Sequence, residues 1–103
     1  MNSEVLILYS RKGCCLCQTL EKKLSNLSLE NLNPSIVLSI VDIDSQQVPL
    51  DIQMKYTNEV PVIVLESNRL SKTFELPRVS PRLKEDMLLT WIQKKLNILY
   101  KTV

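Results

Sequence analysis

The chain has 103 residues, 45% of them hydrophobic, and its 13 basic and 11 acidic residues leave a formal net charge of +2. This length and composition predict a single domain over residues 1–103, and the scattered charges argue against nucleic-acid binding. The chain has no histidine, which excludes Ser-His and Cys-His hydrolase sites and histidine-ligated metals. No apolar run approaches about 18 residues and residues 1–4 lack a signal-peptide pattern, so we expect a cytoplasmic protein with no membrane partner.

The N-terminal part predicts a strand followed by a helix. Residues 5–9 are a continuous apolar run, which is typical of a strand buried on both faces. Residues 10–17 follow and contain the only glycine and all three cysteines. Leucines then recur at the spacing of an amphipathic helix, at Leu16, Leu20, Leu24 and Leu27. The cysteines are therefore predicted in the first turn of the helix.

Helix geometry and charge predict a reactive pair of cysteines. The N–H groups at a helix N-terminus carry partial positive charge, which favours a thiolate, and Arg11 and Lys12 add full charges beside them. Residues i and i+3 share a helix face whereas i and i+2 do not, so Cys17 is predicted to pair with Cys14 rather than with Cys15. The preceding glycine suits a sharp turn that another molecule can approach.

The cysteine content also limits the class of site. In a reducing compartment, two cysteines this close are more typical of redox or metal chemistry than of a structural disulfide. Three thiolates on one short loop cannot surround a tetrahedral zinc ion, and the chain has no second cysteine pair. We therefore expect no metal site.

The middle of the chain predicts a βαβ unit. Residues 25–34 are expected to form a loop whose leucines, Leu27, Leu29 and Leu32, pack inward. Residues 36–41 predict a second buried strand, which ends at residues 42–44. A strand, a helix and a strand at this spacing indicate parallel strands with a right-handed crossover.

A short helix and two strands are predicted next. The helix is capped by Ser45, has Pro49 in its first turn, and presents an apolar face of Leu50, Ile52 and Met54 that extends to Tyr56. Residues 58–65 predict a third strand, in which Pro61 is tolerated because it stands near the beginning. Residues 67–68 indicate a turn, and residues 69–75 a fourth strand in a hairpin with the third.

The last predicted element is a helix capped by Ser80, with Pro81 at its first position. Its expected apolar face consists of Leu83, Met87, Leu88, Trp91, Ile92 and Leu96. The pattern leaves residues 97–103 unassigned.

This element order, with Cys-x-x-Cys after the first strand and Val60-Pro61 at the third, resembles the thioredoxin fold. The chain has no extra leading strand and helix, and in this it resembles the glutaredoxins. Residues 9–17 are especially similar to those of small glutaredoxin-like proteins, and the resemblance extends from Val5 to about Leu96. It implies an α/β thioredoxin fold of the glutaredoxin type, βαβαββα, in which a four-stranded mixed sheet is flanked by three helices.

The resemblance also implies substrate-binding roles. In this fold a cis proline lies against the active cysteines, so Pro61 is expected to be cis and the backbone of Val60 to pair with an extended thiol substrate. Lys12 matches a glutaredoxin lysine that contacts glutathione.

One stretch departs from the glutaredoxin pattern. Glutaredoxins that bind glutathione well carry Gly-Gly and a polar residue after the fourth strand, whereas residues 76–81 contain no glycine. Arg78 and Arg82 instead flank the predicted helix N-terminus at Ser80, where a carboxylate could bind. The alternative is that both arginines are only solvated.

The leading hypothesis is an enzyme, a thiol–disulfide oxidoreductase of redox homeostasis and electron transport, in which Cys14 attacks a disulfide and Cys17 resolves the mixed disulfide. It requires no organic cofactor. Glutathione or a thioredoxin-type reductase would supply electrons, the substrates would be glutathione or protein disulfides, and we expect a monomer. One alternative is a carrier in which Cys14 and glutathione of two protomers hold an iron–sulfur cluster. Another is a binding module that kept the fold and lost turnover.

Overall fold

The computed structural model describes residues 4–32, 35–80 and 82–101, so the predicted helix position Pro81 lies outside the described residues. These ranges contain one turn of 3-10 helix over Leu29–Asn31, together with β1 (Glu4–Ser10), α1 (Cys15–Ser25), β2 (Ile36–Asp42), α2 (Leu50–Tyr56), β3 (Val62–Ser67), β4 (Lys72–Glu75) and α3 (Glu85–Lys101). The sheet order is β2-β1-β3-β4, with β1 parallel to β2 and antiparallel to β3, and β3 antiparallel to β4. The predicted α/β architecture of a mixed sheet with three helices is confirmed.

Apolar side chains cover both faces of the sheet. On one face β1 packs with α1 and α3, in a cluster that includes Leu6, Leu8, Leu20, Leu24, Leu88, Ile92 and Leu96. On the other face β1 and β3 pack with α2, in a cluster that includes Ile7, Tyr9, Tyr56, Val62 and Val64. The prediction that β1 is covered on both faces is confirmed, and burial of these side chains is the main stabilising contribution to the fold.

β2 is an edge strand, and the prediction of a second buried strand is wrong in this respect. Val37 is 53% exposed and Ile40 is 42% exposed, because β1 is the only described strand that lies beside β2. The hairpin strands are shorter than predicted. β3 begins at Val62, directly after Pro61, and the turn before β4 extends through Ser71, whose φ is +53°.

The predicted apolar face of α1 is wrong at its first position. Leu16 is 52% exposed, and the fully buried Cys17 lies inward instead, together with Leu20 and Leu24. Positions 16, 20 and 24 and positions 17, 20 and 24 both fit one helix face, so spacing alone does not decide between them. The inward packing predicted for the leucines after α1 is confirmed, at Leu27, Leu29 and Leu32.

The predicted apolar face of α2 is wrong at two of its positions and confirmed at the other two. Leu50 and Met54 are exposed, whereas Ile52 and Tyr56 contact the sheet. Both pairs have i, i+4 spacing, so the sequence pattern could not distinguish them. In α3 Met87 is also exposed. The other positions predicted for the last helix pack in or against the core: Leu83, which lies before α3, and Leu88, Trp91, Ile92 and Leu96.

Both predicted serine caps are wrong. The hydroxyl of Ser45 accepts the Gln47 N–H at 3.2 Å, and α2 starts later, at Leu50. The hydroxyl of Ser80 accepts the Arg82 N–H at 3.2 Å, and α3 starts only at Glu85. In both places the serine stabilises a local turn, because a short hydroxyl side chain can bond to a nearby backbone N–H in a turn as well as at a helix start.

Among the described residues, every helix is too short or too polar to span a membrane.

A buried carboxylate fastens α3 to the sheet. Glu4, the first residue of β1, is fully buried and accepts hydrogen bonds from the Tyr100 hydroxyl and, at 3.2 Å, from the Arg69 N–H. Burial by itself would raise the pKa of Glu4, but hydrogen bonds from Ser67, Tyr100 and Arg69 outweigh it and hold that pKa below its usual value. Burial and the bond to Glu4 raise the pKa of Tyr100 to about 12.

Replacing Tyr100 by Phe should lower the free energy of unfolding by about 1.5–3 kcal/mol, because a buried charged group loses a hydrogen bond. The Glu4 contribution is present above the usual pKa of 4.5 and is lost as the pH falls through its lower folded pKa. The Tyr100 contribution is present below pH 10.0 and is lost as the pH rises toward about 12. Urea unfolding of the wild-type protein and of Tyr100→Phe, at pH values from below 4.5 to about 12, measures the difference in their free energies of unfolding.

The matched control is Tyr9→Phe, because the Tyr9 hydroxyl has no hydrogen bond to any residue that the structure describes. An equal loss of stability in Tyr9→Phe and Tyr100→Phe would contradict the role given to the Glu4 network.

Candidate redox site

The cysteines follow a tight turn at the end of β1. The Cys14 N–H donates to the Arg11 carbonyl at 3.3 Å, and Gly13 has a φ of +79°. This is the pattern of a type II turn, whose third residue needs a positive φ and is therefore usually glycine. A Cβ on Gly13 would meet no atom within 4 Å, so the backbone angle, and not crowding, requires the glycine.

Cys14 and Cys17 form the predicted pair. Their sulfur atoms lie at disulfide distance, with the Cα atoms 5.2 Å apart, whereas Cys15 is a free, exposed thiol. Cys14 is half-buried and Cys17 is 0% exposed. Of the two paired sulfurs, only the Cys14 sulfur can therefore meet another molecule.

Cys14 occupies the N-cap of α1, where its sulfur accepts the Cys17 N–H at 3.1 Å. The first N–H groups of a helix have no intrahelical acceptor and carry partial positive charge. The first turn of α1 contains no acidic residue, so no carboxylate there offsets this positive charge. The position therefore favours the thiolate form of Cys14 once the pair is reduced.

Arg11 does not present a free positive charge, contrary to the expectation from sequence. Its guanidinium donates to both carboxylate oxygens of Asp44, at 2.8 and 3.0 Å, and to the carbonyl and hydroxyl of Thr57, both at 2.7 Å. The hydrogen bond from Arg11 lowers the pKa of Asp44, and the same bond raises the pKa of Arg11. Lys12 is exposed, and no carboxylate within the described ranges forms an ion pair with it.

Pro61 lies at the same end of the sheet as the cysteine turn. Tyr9 of β1 is paired with Val62 of β3, so the residue before β3 lies beside the end of β1, where the cysteine turn begins. The Val60–Pro61 peptide is cis, as the resemblance predicted. Pro61 contributes to a groove of about 360 Å³, whose apolar lining includes Leu20, Val62, Ile63, Leu76 and Val79.

The charged groups of this groove are paired with one another. Arg78 lies 3.8 Å from Glu59, and Lys55 lies 3.6 Å from Glu75. Glu75 also accepts the Tyr56 hydroxyl at 2.7 Å, and burial together with this bond raises the pKa of Tyr56 to about 12. A substrate carboxylate that binds Arg78 would therefore compete with Glu59.

A family model for the glutaredoxin-like domain (DUF836) matches residues 5–93, which include both paired cysteines and Pro61. The chain belongs to this glutaredoxin-like family. A solved structure of a malarial protein has a similar fold, with a TM-score of 0.59 and 20% identity over 90% of this chain and 97% of that chain. No curated protein matches the chain.

The glutaredoxin-like site brings together only some of the predicted binding residues. Pro61 and Arg78 line one groove, whereas Lys12 lines a second groove, with Ser10, Gln18, Glu21, Ile40 and Asp42. Arg78 and Arg82 do not flank a helix N-terminus, because α3 begins at Glu85. The first turn of α3 carries acidic residues, which would oppose a carboxylate there. Glutathione contacts by Lys12 and Arg78 stay predictions.

Asp44 and Thr57 are residues of this glutaredoxin-like site that the sequence analysis missed. They lie 33 and 46 positions from Arg11, so no local spacing connects them to it. One signal was present for Asp44, since β1 and β2 are parallel and Ser10 is paired with Asp42. The carboxyl ends of the two strands therefore meet at one edge of the sheet.

The described residues contain no group of three His, Cys, Asp or Glu side chains that could hold a metal ion.

Proposed function

We propose that this chain is a thiol–disulfide oxidoreductase in which Cys14 is the nucleophile and Cys17 the resolving cysteine. The observation that supports this most directly is the position of the Cys14 sulfur. It accepts an N–H at the start of α1, and Cys17 is buried at disulfide distance beside it.

In the first step the Cys14 thiolate attacks one sulfur of a substrate disulfide. A bond forms between the two sulfurs, the substrate disulfide breaks, and the second substrate sulfur leaves as a thiolate that takes a proton from solvent. The helix N–H groups stabilise the attacking thiolate without a histidine base, which the chain does not contain.

In the second step Cys17 attacks the Cys14 sulfur. Cys17 loses its proton, the Cys14–Cys17 disulfide forms, and the bound substrate leaves as a thiol. The substrate has gained two electrons and the protein has lost two. Glutathione or a thioredoxin-type reductase would return these electrons.

Residues around Pro61 would bind the substrate. In this proposal the Val60 backbone pairs with an extended segment next to the substrate sulfur, and Pro61 contributes to the groove lining. Lys12 and Arg78 would contact the carboxylates of glutathione. An iron–sulfur carrier is the less favoured alternative, because Cys17 would compete with a cluster for the Cys14 sulfur.

Replacing Cys14 by Ser should abolish disulfide reduction, because a serine hydroxyl does not ionise at neutral pH. Replacing Cys17 by Ser should leave a mixed disulfide between Cys14 and the substrate that persists in mass spectra taken without reductant. Cys15→Ser is the matched control and should retain activity. Substantial activity in Cys14→Ser, or a mixed disulfide on Cys15, would contradict the assignment.

Replacing Lys12 or Arg78 by Ala should weaken the use of glutathione by about two- to five-fold each, because charge contacts at exposed positions contribute little. Glu59→Gln should have the opposite effect, since it frees Arg78 for a substrate carboxylate. KM values for a glutathionylated peptide measure these effects. Glu66→Gln is the control, an exposed carboxylate near the far end of β3. Unchanged KM values in the Lys12, Arg78 and Glu59 variants would remove glutathione as the partner and favour a protein substrate.

A further inference from the structure

Arg11 connects three segments of the site through one side chain. Its Nε and Nη2 donate to the carboxylate of Asp44, and its Nη1 and Nη2 donate to the carbonyl and hydroxyl oxygens of Thr57. The guanidinium thus uses four of its five N–H groups. The backbone of Arg11 opens the turn that closes at Cys14.

Backbone hydrogen bonds fix both acceptors of this guanidinium. Ile43, next to Asp44, donates its N–H to the Ser10 carbonyl at 2.8 Å. The Asp44 N–H donates to the Asp42 carboxylate at 3.0 Å. The Thr57 N–H caps the end of α2 by donating to the Gln53 carbonyl at 2.9 Å. Arg11 therefore connects Asp44 and Thr57, and backbone N–H hydrogen bonds hold each of these residues in place.

Thr57 is followed within four residues by Val60 and Pro61. The next backbone bond, from the Glu59 N–H to the Tyr56 carbonyl at 2.9 Å, keeps this segment close to the end of α2. The cysteine turn and the segment before β3 are thus tied together by the Arg11 guanidinium. In the described sheet, the β1–β3 pair nearest to both segments is Tyr9 with Val62.

We propose that Arg11 is a positioning residue, which holds the Cys14 turn in register with Val60–Pro61 so that a disulfide bound along Val60 meets the Cys14 sulfur. The inference rests on the proposed function and adds to it a residue that touches neither the substrate nor the reacting sulfurs. In this proposal Asp44 and Thr57 act through their hydrogen bonds with Arg11.

The chemistry of the contact requires arginine. Two parallel N–H groups meet the Asp44 carboxylate while the remaining edge reaches Thr57, and a lysine ammonium has no such planar fork. A role through charge alone is disfavoured, because the Asp44 carboxylate compensates the charge of the guanidinium.

The test compares Arg11→Lys and Asp44→Ala with two substrates. A glutathionylated peptide should bind along Val60, whereas 2-hydroxyethyl disulfide is too small to depend on that segment. For the peptide, kcat/KM should fall about 10- to 100-fold in both variants, because small displacements of reacting groups have effects of this size. For the small disulfide it should fall less than about three-fold. Arg69→Lys, in the turn beyond the far end of β3, is the matched control.

The direction in which activity and alkylation rate change in the two variants distinguishes a positioning role of Arg11 from a role through its charge. If Arg11 acted by charge, Arg11→Lys would keep the activity, and Asp44→Ala would increase the rate at which Cys14 is alkylated at pH 6. That pattern, or equal losses with both substrates, would overturn the proposal.

Amide hydrogen exchange gives a readout that does not need activity. In Arg11→Lys, exchange should become faster in residues 12–15 and in residues 57–60 together, and unchanged exchange in either segment would overturn the proposal. If the wild-type protein reduces neither substrate, the proposed function fails, and the exchange experiment still decides whether Arg11 joins the two segments.

Discussion

The hydrogen bond from the Cys17 N–H to the Cys14 sulfur is the interaction on which the site depends. It forms because α1 starts directly after the cysteine turn, so that its unsatisfied N–H groups point at the Cys14 side chain. β1 holds the turn in place, since it is central in the sheet and packed on both faces. The Cys14 sulfur therefore lies just beyond the end of a central strand that is packed on both faces, which suits a group that must be precisely positioned. The buried Cys17 completes the pair without being accessible itself.

The groove beside Pro61 differs from an anion-binding site with unpaired cations. Both of its cations face a carboxylate, Arg78 at Glu59 and Lys55 at Glu75. An anionic ligand would therefore compete with an existing partner, and the net gain from each charge is small. Contacts that do not depend on charge, such as those proposed for the Val60 backbone and those with the apolar residues that line the groove, are unaffected by this competition. In the proposed reaction, these contacts would contribute most of the substrate affinity, and the charges would adjust which substrates are preferred.

Features that depend on local pattern could be predicted from the sequence, and features that depend on long-range packing could not. The order of strands and helices follows from periodicity, and the Cys14–Cys17 pairing follows from i, i+3 geometry. The cis state of Pro61 came from the family resemblance. The position of β2 at the sheet edge and the inward face of α2 depend on neighbours far along the chain. The bonds of Arg11 to Asp44 and Thr57 span 33 and 46 residues. The parallel pairing of β1 with β2 indicates only that Asp44 lies at the same sheet edge, and no sequence signal indicates Thr57.

The central claim is that Cys14 and Cys17 form a reversible redox pair rather than a structural disulfide. The most direct measurement is their reduction potential, obtained by equilibrating the Cys15→Ser protein in glutathione buffers of known ratio and counting free thiols by mass spectrometry. The account predicts a two-electron transition between about −120 and −270 mV, the range of thioredoxin-type oxidoreductases. A pair that stays oxidised below about −300 mV, as structural disulfides do, would contradict it.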